Sequence, residues 1–205
     1  MKGVLLDRDG TLVDVVRDEE TGTVHTAFHP SQLRLLPGVV EGLRALADAG
    51  YVLAIATNQP GPAKGQVSIE AVTRTNDALV ELLASQGVTL TKVACCVHHP
   101  EGGPGGARAL IGPCACRKPA PGMLLELVRE LRLRPEATWM VGDSRTDIAA
   151  GDAAGLRTAL VLPAGRCELC PLRGQPMGLG ARPTAVAGSL VEVARAILTA
   201  EALAP

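Results

Sequence analysis

The sequence predicts an α/β fold, an open parallel sheet with helices on both faces. Three observations carry this. Short apolar runs alternate with stretches of helical periodicity, as crossover connections require. The first run, Val4-Leu5-Leu6, is apolar throughout rather than alternating, as in a strand buried on both faces. It runs directly into two carboxylates, Asp7 and Asp9, followed by Gly10-Thr11. Open parallel sheets bind their ligands just past the carboxyl ends of their strands. Acids at such a place are costly unless they hold a cation or do chemistry.

The elements follow in order. Strand one covers about 3–7. The polar stretch from Asp14 to Pro30 reads as a flap or short hairpin. Pro37-Gly38 opens a helix with Val39, Val40, Leu43, Leu46 and Ala47 at helical spacing, and Gly50 stops it. Tyr51 to Ala56 is strand two. Ser68 caps a helix to about Ser85, with Ile69, Val72, Leu79, Leu82 and Leu83 on its apolar face. Lys92 to Cys96 is strand three, and 97–117 is Gly/Pro-rich without regular pattern. Met123 to Leu133 is a helix, Trp139 to Val141 strand four, Asp147 to Ala154 a short helix closed by Gly155, and Ala159 to Leu162 strand five. Residues 163–183 read as irregular, and Ser189 to Leu203 as the final helix. No linker or repeat divides the 205 residues, so a single domain spanning 1–205 is expected.

Composition narrows the classes of function. The net charge is −1 and only Phe28, Tyr51 and Trp139 are aromatic. Neither a basic surface nor a stacking platform for nucleic acid is expected. No apolar run approaches the ~20 residues of a membrane span, and Met1-Lys2-Gly3 leads straight into strand one. A cytoplasmic, soluble chain acting as a monomer on a small molecule is the expectation. Its six cysteines then read as metal ligands or free thiols rather than disulfides.

Four motifs fall at strand ends or helix starts: Asp7-Arg8-Asp9-Gly10-Thr11, Thr57-Asn58-Gln59, Arg117-Lys118-Pro119, and Gly142-Asp143 with Asp147 following. Together they supply carboxylates, a hydroxyl and a lysine. That set suits phosphoryl transfer: a carboxylate nucleophile, oxygen ligands for Mg²⁺, and a cation for the phosphate oxygens. Each motif alone is also a plain turn or a solvated charge; their order and strand context give the set its weight.

A second cluster lies in the irregular loop. Cys96-x-His98 and Cys114-x-Cys116 flank Gly102-Gly103-Pro104-Gly105-Gly106. Such a loop buries little apolar surface, and a closed Cys₃His zinc site would staple it. His99 is the alternative ligand; the spacing from Cys96 favours His98. Cys95 reads as a strand residue facing the core, and Cys167 and Cys170 as free thiols.

With these motifs the chain resembles the haloacid dehalogenase (HAD) superfamily of phosphatases, which implies a Rossmann-like HAD fold. The resemblance implies that Asp7 is the nucleophile and Asp9 the general acid/base. Thr57 would hold the transferring phosphoryl group and Lys118 neutralise it. Mg²⁺ would sit on Asp7, Asp143 and the main-chain carbonyl of Asp9, with Asp147 as an outer acid. The Cys-x-His…Cys-x-Cys-Arg-Lys-Pro pattern is similar to the branch holding heptose 1,7-bisphosphate 7-phosphatases and histidinol-phosphatase domains. It implies substrate contacts from Asn58, Gln59 and Arg117, although Pro60 stands where that branch carries Ser. His25, in the flap, either contacts substrate or lies on the surface. The intervals between motifs leave no room for a large cap domain. The reading is therefore a Mg²⁺-dependent phosphatase acting through an aspartyl-phosphate on a small phosphorylated sugar, foremost the 7-phosphate of D-glycero-D-manno-heptose 1,7-bisphosphate. The alternatives are histidinol phosphate or another small phosphomonoester and, from a different class, an inactive zinc-stapled binding protein.

Overall fold

The computed structural model describes residues 1–20, 22–163 and 182–203. A six-stranded sheet of β1 (Gly3–Leu6), β4 (Val52–Asn58), β5 (Lys92–Cys96), β6 (Thr138–Gly142), β7 (Arg157–Val161) and β8 (Ala185–Ala187) runs in the order β5-β4-β1-β6-β7-β8. Every pairing in it is parallel. A separate hairpin pairs β2 (Val16–Asp18) with β3 (Thr23–His25) in the expected flap.

Side chains of the central strands point alternately to two cores. Val4, Leu6, Leu53 and Ile55 meet α1 (Val39–Asp48), α2 (Ile69–Ser85) and α5 (Leu190–Ala202) through Leu43, Leu46, Leu79, Leu83, Val193 and Ile197. Leu5, Ala54, Ala56 and Met140 meet α3 (Gly122–Glu130) and α4 (Arg145–Ala153) through Met123, Leu124, Leu127 and Ala150. Burial on both faces is why these strands carry unbroken apolar runs. Helix α5, near the end of the chain, packs against α1, near its beginning.

Among the differences from the sequence expectation, three have a tertiary reason. Helix α3 ends at Glu130 rather than Leu133, because Arg132 takes a left-handed conformation (φ 51°) and turns Leu133 back into the core. Strand β7 begins at Arg157, whose charge hid it; its guanidinium lies 5.7 Å from the centre of the Trp139 ring. Strand β8 has only Ala185-Val186-Ala187, too short a run to signal, and exists through its pairing with β7. Most of the stretch read as irregular, including Cys167 and Cys170, lies outside the described residues.

Candidate active site and metal centre

Strand β1 lies between β4 and β6, so the ends of three adjacent strands converge. Asp7 follows β1 with its N–H donating to the carbonyl of Val141 (2.8 Å). Thr57 is the penultimate residue of β4, and Asp143 follows β6. Two glycines make the approach of these loops possible. At Gly10 (φ 81°) a Cβ would lie 2.0 Å from Asp143 Oδ2, and at Gly142 it would lie 2.3 Å from Asp147 Cγ. A side chain at either place would displace a carboxylate.

Lys118 is buried at the centre of the cluster. Its Nζ donates to Asp7 Oδ1 (2.8 Å) and to the Ala56 carbonyl (2.7 Å), and lies 2.5 Å from Asp147 Oδ1. Burial works against its charge, but Asp147 and Asp7 outweigh it and hold the ammonium well above its ordinary range. Asp147 also caps α4, accepting from the Ser144 N–H (3.0 Å). Asn58 pairs with the main chain of Lys118 in both directions: its Nδ2 donates to the carbonyl (3.0 Å) and its Oδ1 accepts from the N–H (3.1 Å).

Carboxylate oxygens of Asp7, Asp143 and Asp147 lie within 4.8 Å of one another. Burial first, then the charges of Asp147 and Asp9, push Asp7 up to about 6 against the pull of Lys118. Burial again leads for Asp143, with the charges of Asp7 and Asp147, and carries it to about 8. Once ionised, three carboxylates against one ammonium would carry an excess of two negative charges, which one divalent cation would balance. The donors are all hard oxygens, the set Mg²⁺ takes.

Asp9 faces the other way. Arg8 grips it through Nε to Oδ2 (3.0 Å) and Nη2 to Oδ1 (3.1 Å), and Gln59 Nε2 donates to Oδ2 (2.5 Å). The Gln59 Nε2 also donates to Thr57 Oγ1 (2.9 Å). Gln59 and Thr57 are each 1% exposed. Arg8 stands within the Asp7-to-Thr11 motif but takes no role in the sequence reading; its one signal there is its position between two acids.

The second cluster assembles Cys96, His98, Cys114 and Cys116. The sulfurs of Cys96 and Cys114 are 3.8 Å apart, Cys96 and Cys116 3.1 Å, and Cys114 and Cys116 3.5 Å. Nδ1 of His98 lies 3.7 Å from Cys96 Sγ and 3.5 Å from Cys116 Sγ. His99 points elsewhere: its Nδ1 accepts from the N–H groups of Glu101 and Gly102. Arg117 Nη1 donates to the His98 carbonyl (3.3 Å), joining this cluster to the Lys118 segment. Cys95 is half-buried on β5, with burial pushing its thiol up to about 11. In the flap, His25 stacks on Phe28 with ring centres 5.2 Å apart, and its Nδ1 lies 2.8 Å from the Thr26 carbonyl.

The described residues contain no helix long and apolar enough to cross a membrane. A HAD-hydrolase-like family profile matches residues 115–193. The D-glycero-β-D-manno-heptose-1,7-bisphosphate 7-phosphatase of Pasteurella multocida (strain Pm70) is 35% identical over 165 residues, 80% of this chain and 83% of its own length. The Pseudomonas putida enzyme of the same name is 31% identical over 198 residues, 97% of this chain and all of that one. Among solved structures, the D,D-heptose 1,7-bisphosphate phosphatase from B. bronchiseptica, complexed with magnesium and phosphate, matches with a TM-score of 0.75. Its identity is 28%, over 98% of this chain and 99% of that one.

Proposed function

Because the chain belongs to the HAD-type heptose-bisphosphate phosphatase family, we propose that it hydrolyses the 7-phosphate of D-glycero-D-manno-heptose 1,7-bisphosphate through an aspartyl-phosphate on Asp7. The observation that carries the chemistry is Lys118, buried between Asp7 and Asp147 beside an Asp7–Asp143–Asp147 cluster. The relatives' substrate carries the choice of sugar.

A carboxylate oxygen of Asp7 attacks phosphorus, and the bond to the ester oxygen breaks. Asp9 gives its proton to that leaving oxygen. Asp9, now ionised, takes a proton from water as the water oxygen attacks the same phosphorus. The bond to Asp7 then breaks, releasing inorganic phosphate and restoring both carboxyl groups. Lys118 and the Thr57 hydroxyl steady the phosphoryl oxygens. Asp7, Asp143 and the Asp9 main-chain carbonyl would hold Mg²⁺, which when bound offsets the charge of the incoming phosphate. Asp147 orients Lys118. Asn58 and Gln59, with their amides engaged by Lys118 and by Asp9 and Thr57, act here by positioning those groups. Arg117, half-buried beside the Cys/His cluster, is the substrate contact of this set.

The Cys96–His98–Cys114–Cys116 cluster holds Zn²⁺ in this reading. A tetrahedral site with Zn–S bonds of about 2.3 Å spaces its sulfurs by roughly 3.8 Å; the Cys96–Cys114 pair stands at 3.8 Å, and the other two pairs are shorter, at 3.5 and 3.1 Å. All four positions would be protein ligands, so the ion is structural. It fixes the segment that leads into Arg117 and Lys118. The whole chain acts as one soluble, monomeric catalytic unit in the cytoplasm, with no nucleic acid or membrane among its partners; the contact of α5 with α1 supports the single unit.

The test is a panel of phosphomonoesters with Mg²⁺: both anomers of the heptose bisphosphate, histidinol phosphate and simple sugar phosphates. Preference for a heptose bisphosphate by at least ~100-fold in kcat/KM, a difference of about 2.7 kcal/mol in transition-state stabilisation, is expected. Equal or better turnover of histidinol phosphate would overturn the substrate assignment, and absence of turnover throughout the chemistry.

A further inference from the structure

Arg8 is a charged residue with no exposure to solvent. A buried guanidinium is costly unless its charge and its donors are matched. Here they are. Nε and Nη2 form a fork onto the two oxygens of Asp9. Nη1 donates to Asn76 Oδ1 on α2 (2.8 Å). Nη2 also donates to the Ala27 carbonyl at the foot of the flap (3.0 Å) and to Gln59 Oε1 (2.9 Å). Gln59 completes a closed ring of bonds by donating its Nε2 to Asp9 Oδ2. Asn76 is itself buried, at 6% exposure. Three remote segments of the chain therefore converge on one side chain, whose single carboxylate partner among the described residues is Asp9.

The two aspartates are thus served by different cations. Lys118 answers Asp7, and Arg8 answers Asp9. A rigid fork fixes a carboxylate in plane as well as in place, which a flexible ammonium does not.

We propose that Arg8, braced by Asn76 and Gln59, is the positioning residue for Asp9, setting the geometry of both proton transfers. This rests on the phosphatase reading above. Arg8 does not touch the substrate; it acts through Asp9. The proton transfers in question are the one from Asp9 to the leaving ester oxygen and the one from water to Asp9.

The readout is the dependence on leaving group. An alkyl phosphate needs a proton on its departing oxygen, whereas p-nitrophenyl phosphate releases a stable phenolate without one. Both routes pass through the same hydrolysis of the aspartyl-phosphate, in which Asp9 acts as base. In Arg8→Met, kcat on a sugar phosphate should fall about 100-fold, the lower end of what general acid–base catalysis contributes. The first turnover of p-nitrophenyl phosphate should stay within about threefold of the parent, and its steady state should slow, giving a burst of nitrophenolate larger than the parent's. Asn76→Ala, which leaves Arg8 in place but unbraced, should show the same pattern at about tenfold. Arg8→Lys should recover part of the loss. An equal fall in the first turnover of both esters without a larger burst, in Arg8→Met and Asn76→Ala alike, would make the network merely structural and overturn the proposal. So would unchanged turnover of the sugar phosphate in Asn76→Ala together with no recovery in Arg8→Lys. If the unsubstituted protein turned over neither ester, the phosphatase reading itself would fall, an outcome separate from any difference between variants.

Discussion

The carboxylate cluster at the strand ends and the Cys/His cluster of the 96–116 loop are both sets of metal-ligating side chains, yet they are built in opposite ways. The carboxylates sit on a rigid sheet. Asp7 and Asp143 follow strands whose neighbours are fixed by hydrogen bonds and by core on both faces, Asp147 lies in the first turn of α4, and glycines at 10 and 142 let the loops close to contact distance. Burial first, and then their mutual repulsion, raise Asp7 and Asp143, so the fold holds this cluster together against desolvation and charge. The cysteine loop has the reverse logic. Gly102, Gly103, Gly105, Gly106 and Gly112 leave it with little apolar surface to bury, and its four ligands stand in for a core. In the first region the fold brings the donors together; in the second, on the zinc reading proposed above, the bound ion would hold the fold of the loop. The lesson concerns what each ion is for: a site preassembled by a sheet suits an exchangeable catalytic ion, and a site that organises its own loop suits a permanent one.

The sharpest way to break this contrast is to remove the reactive group without disturbing the sheet. Asp7→Asn should reduce turnover on the order of 10⁴-fold or more, as expected for a covalent nucleophile, and abolish phosphate labelling of the protein. Thermal unfolding should show that the fold survives, because the amide fits the same strand end. Full activity in this variant would sink the nucleophile assignment.

On the other side, Cys114→Ser should break the loop while sparing the sheet. Purified protein is expected to hold about one equivalent of zinc, which the variant loses. Limited proteolysis should then cut between 97 and 116. Turnover should fall roughly 10–100-fold through displacement of Arg117 and Lys118, the range seen when a supporting interaction of a metal site is lost. Chelation of Mg²⁺ should instead be fully reversible and leave the loop resistant to protease. A zinc-free protein with normal activity would refute the account of the loop.

The smallest effect concerns the charge strain. Asp7 and Asp143 have folded-state values raised above those of an unfolded chain, to about 6 and about 8. Their contribution to stability is therefore fully present below the unfolded carboxylate range near pH 4. It is lost as pH rises through 6 and 8, where the folded protein must hold ionised, mutually repelling groups. Mg²⁺ binds the ionised form, so the rise in Tm on adding it should grow from pH 6 to pH 8, by a few degrees. Differential scanning at matched ionic strength measures it; an increment independent of pH would mean that the carboxylates are ionised without the ion.

Much of this was legible before any coordinates. The order of the strands' apolar runs, the carboxylate pair after β1 and the Cys-x-His and Cys-x-Cys pairs are local patterns, and local patterns follow from spacing alone. The polar stretch after β1 read as a flap or short hairpin, and alternation along the strand end favoured His98 over His99 beside Cys96, where the structure places it. What stayed hidden was whatever depends on partners distant in sequence. Strand β8 exists through β7, the end of α3 through the turn at Arg132, and the start of β7 through the ring of Trp139. In the site, the family resemblance implied Asn58 and Gln59 as substrate contacts, whereas in the structure their amides are engaged by Lys118, Asp9 and Thr57.

The sequence by itself determined the chemistry: two acids after a buried strand, a hydroxyl, a lysine and a further acid in a fixed order, and four soft ligands in a loop with no core. Residue type decides which proton or metal a group accepts, and that survives without a structure. Tertiary structure alone decided how the groups are paired. It gave Asp7 to Lys118 and Asp9 to Arg8, joined by Asn76 from a helix 68 positions along the chain. Pairing is a matter of distances of a few ångströms between remote segments, set by how the two cores pack against the sheet, and nothing in the spacing of residues along the chain encodes those distances directly.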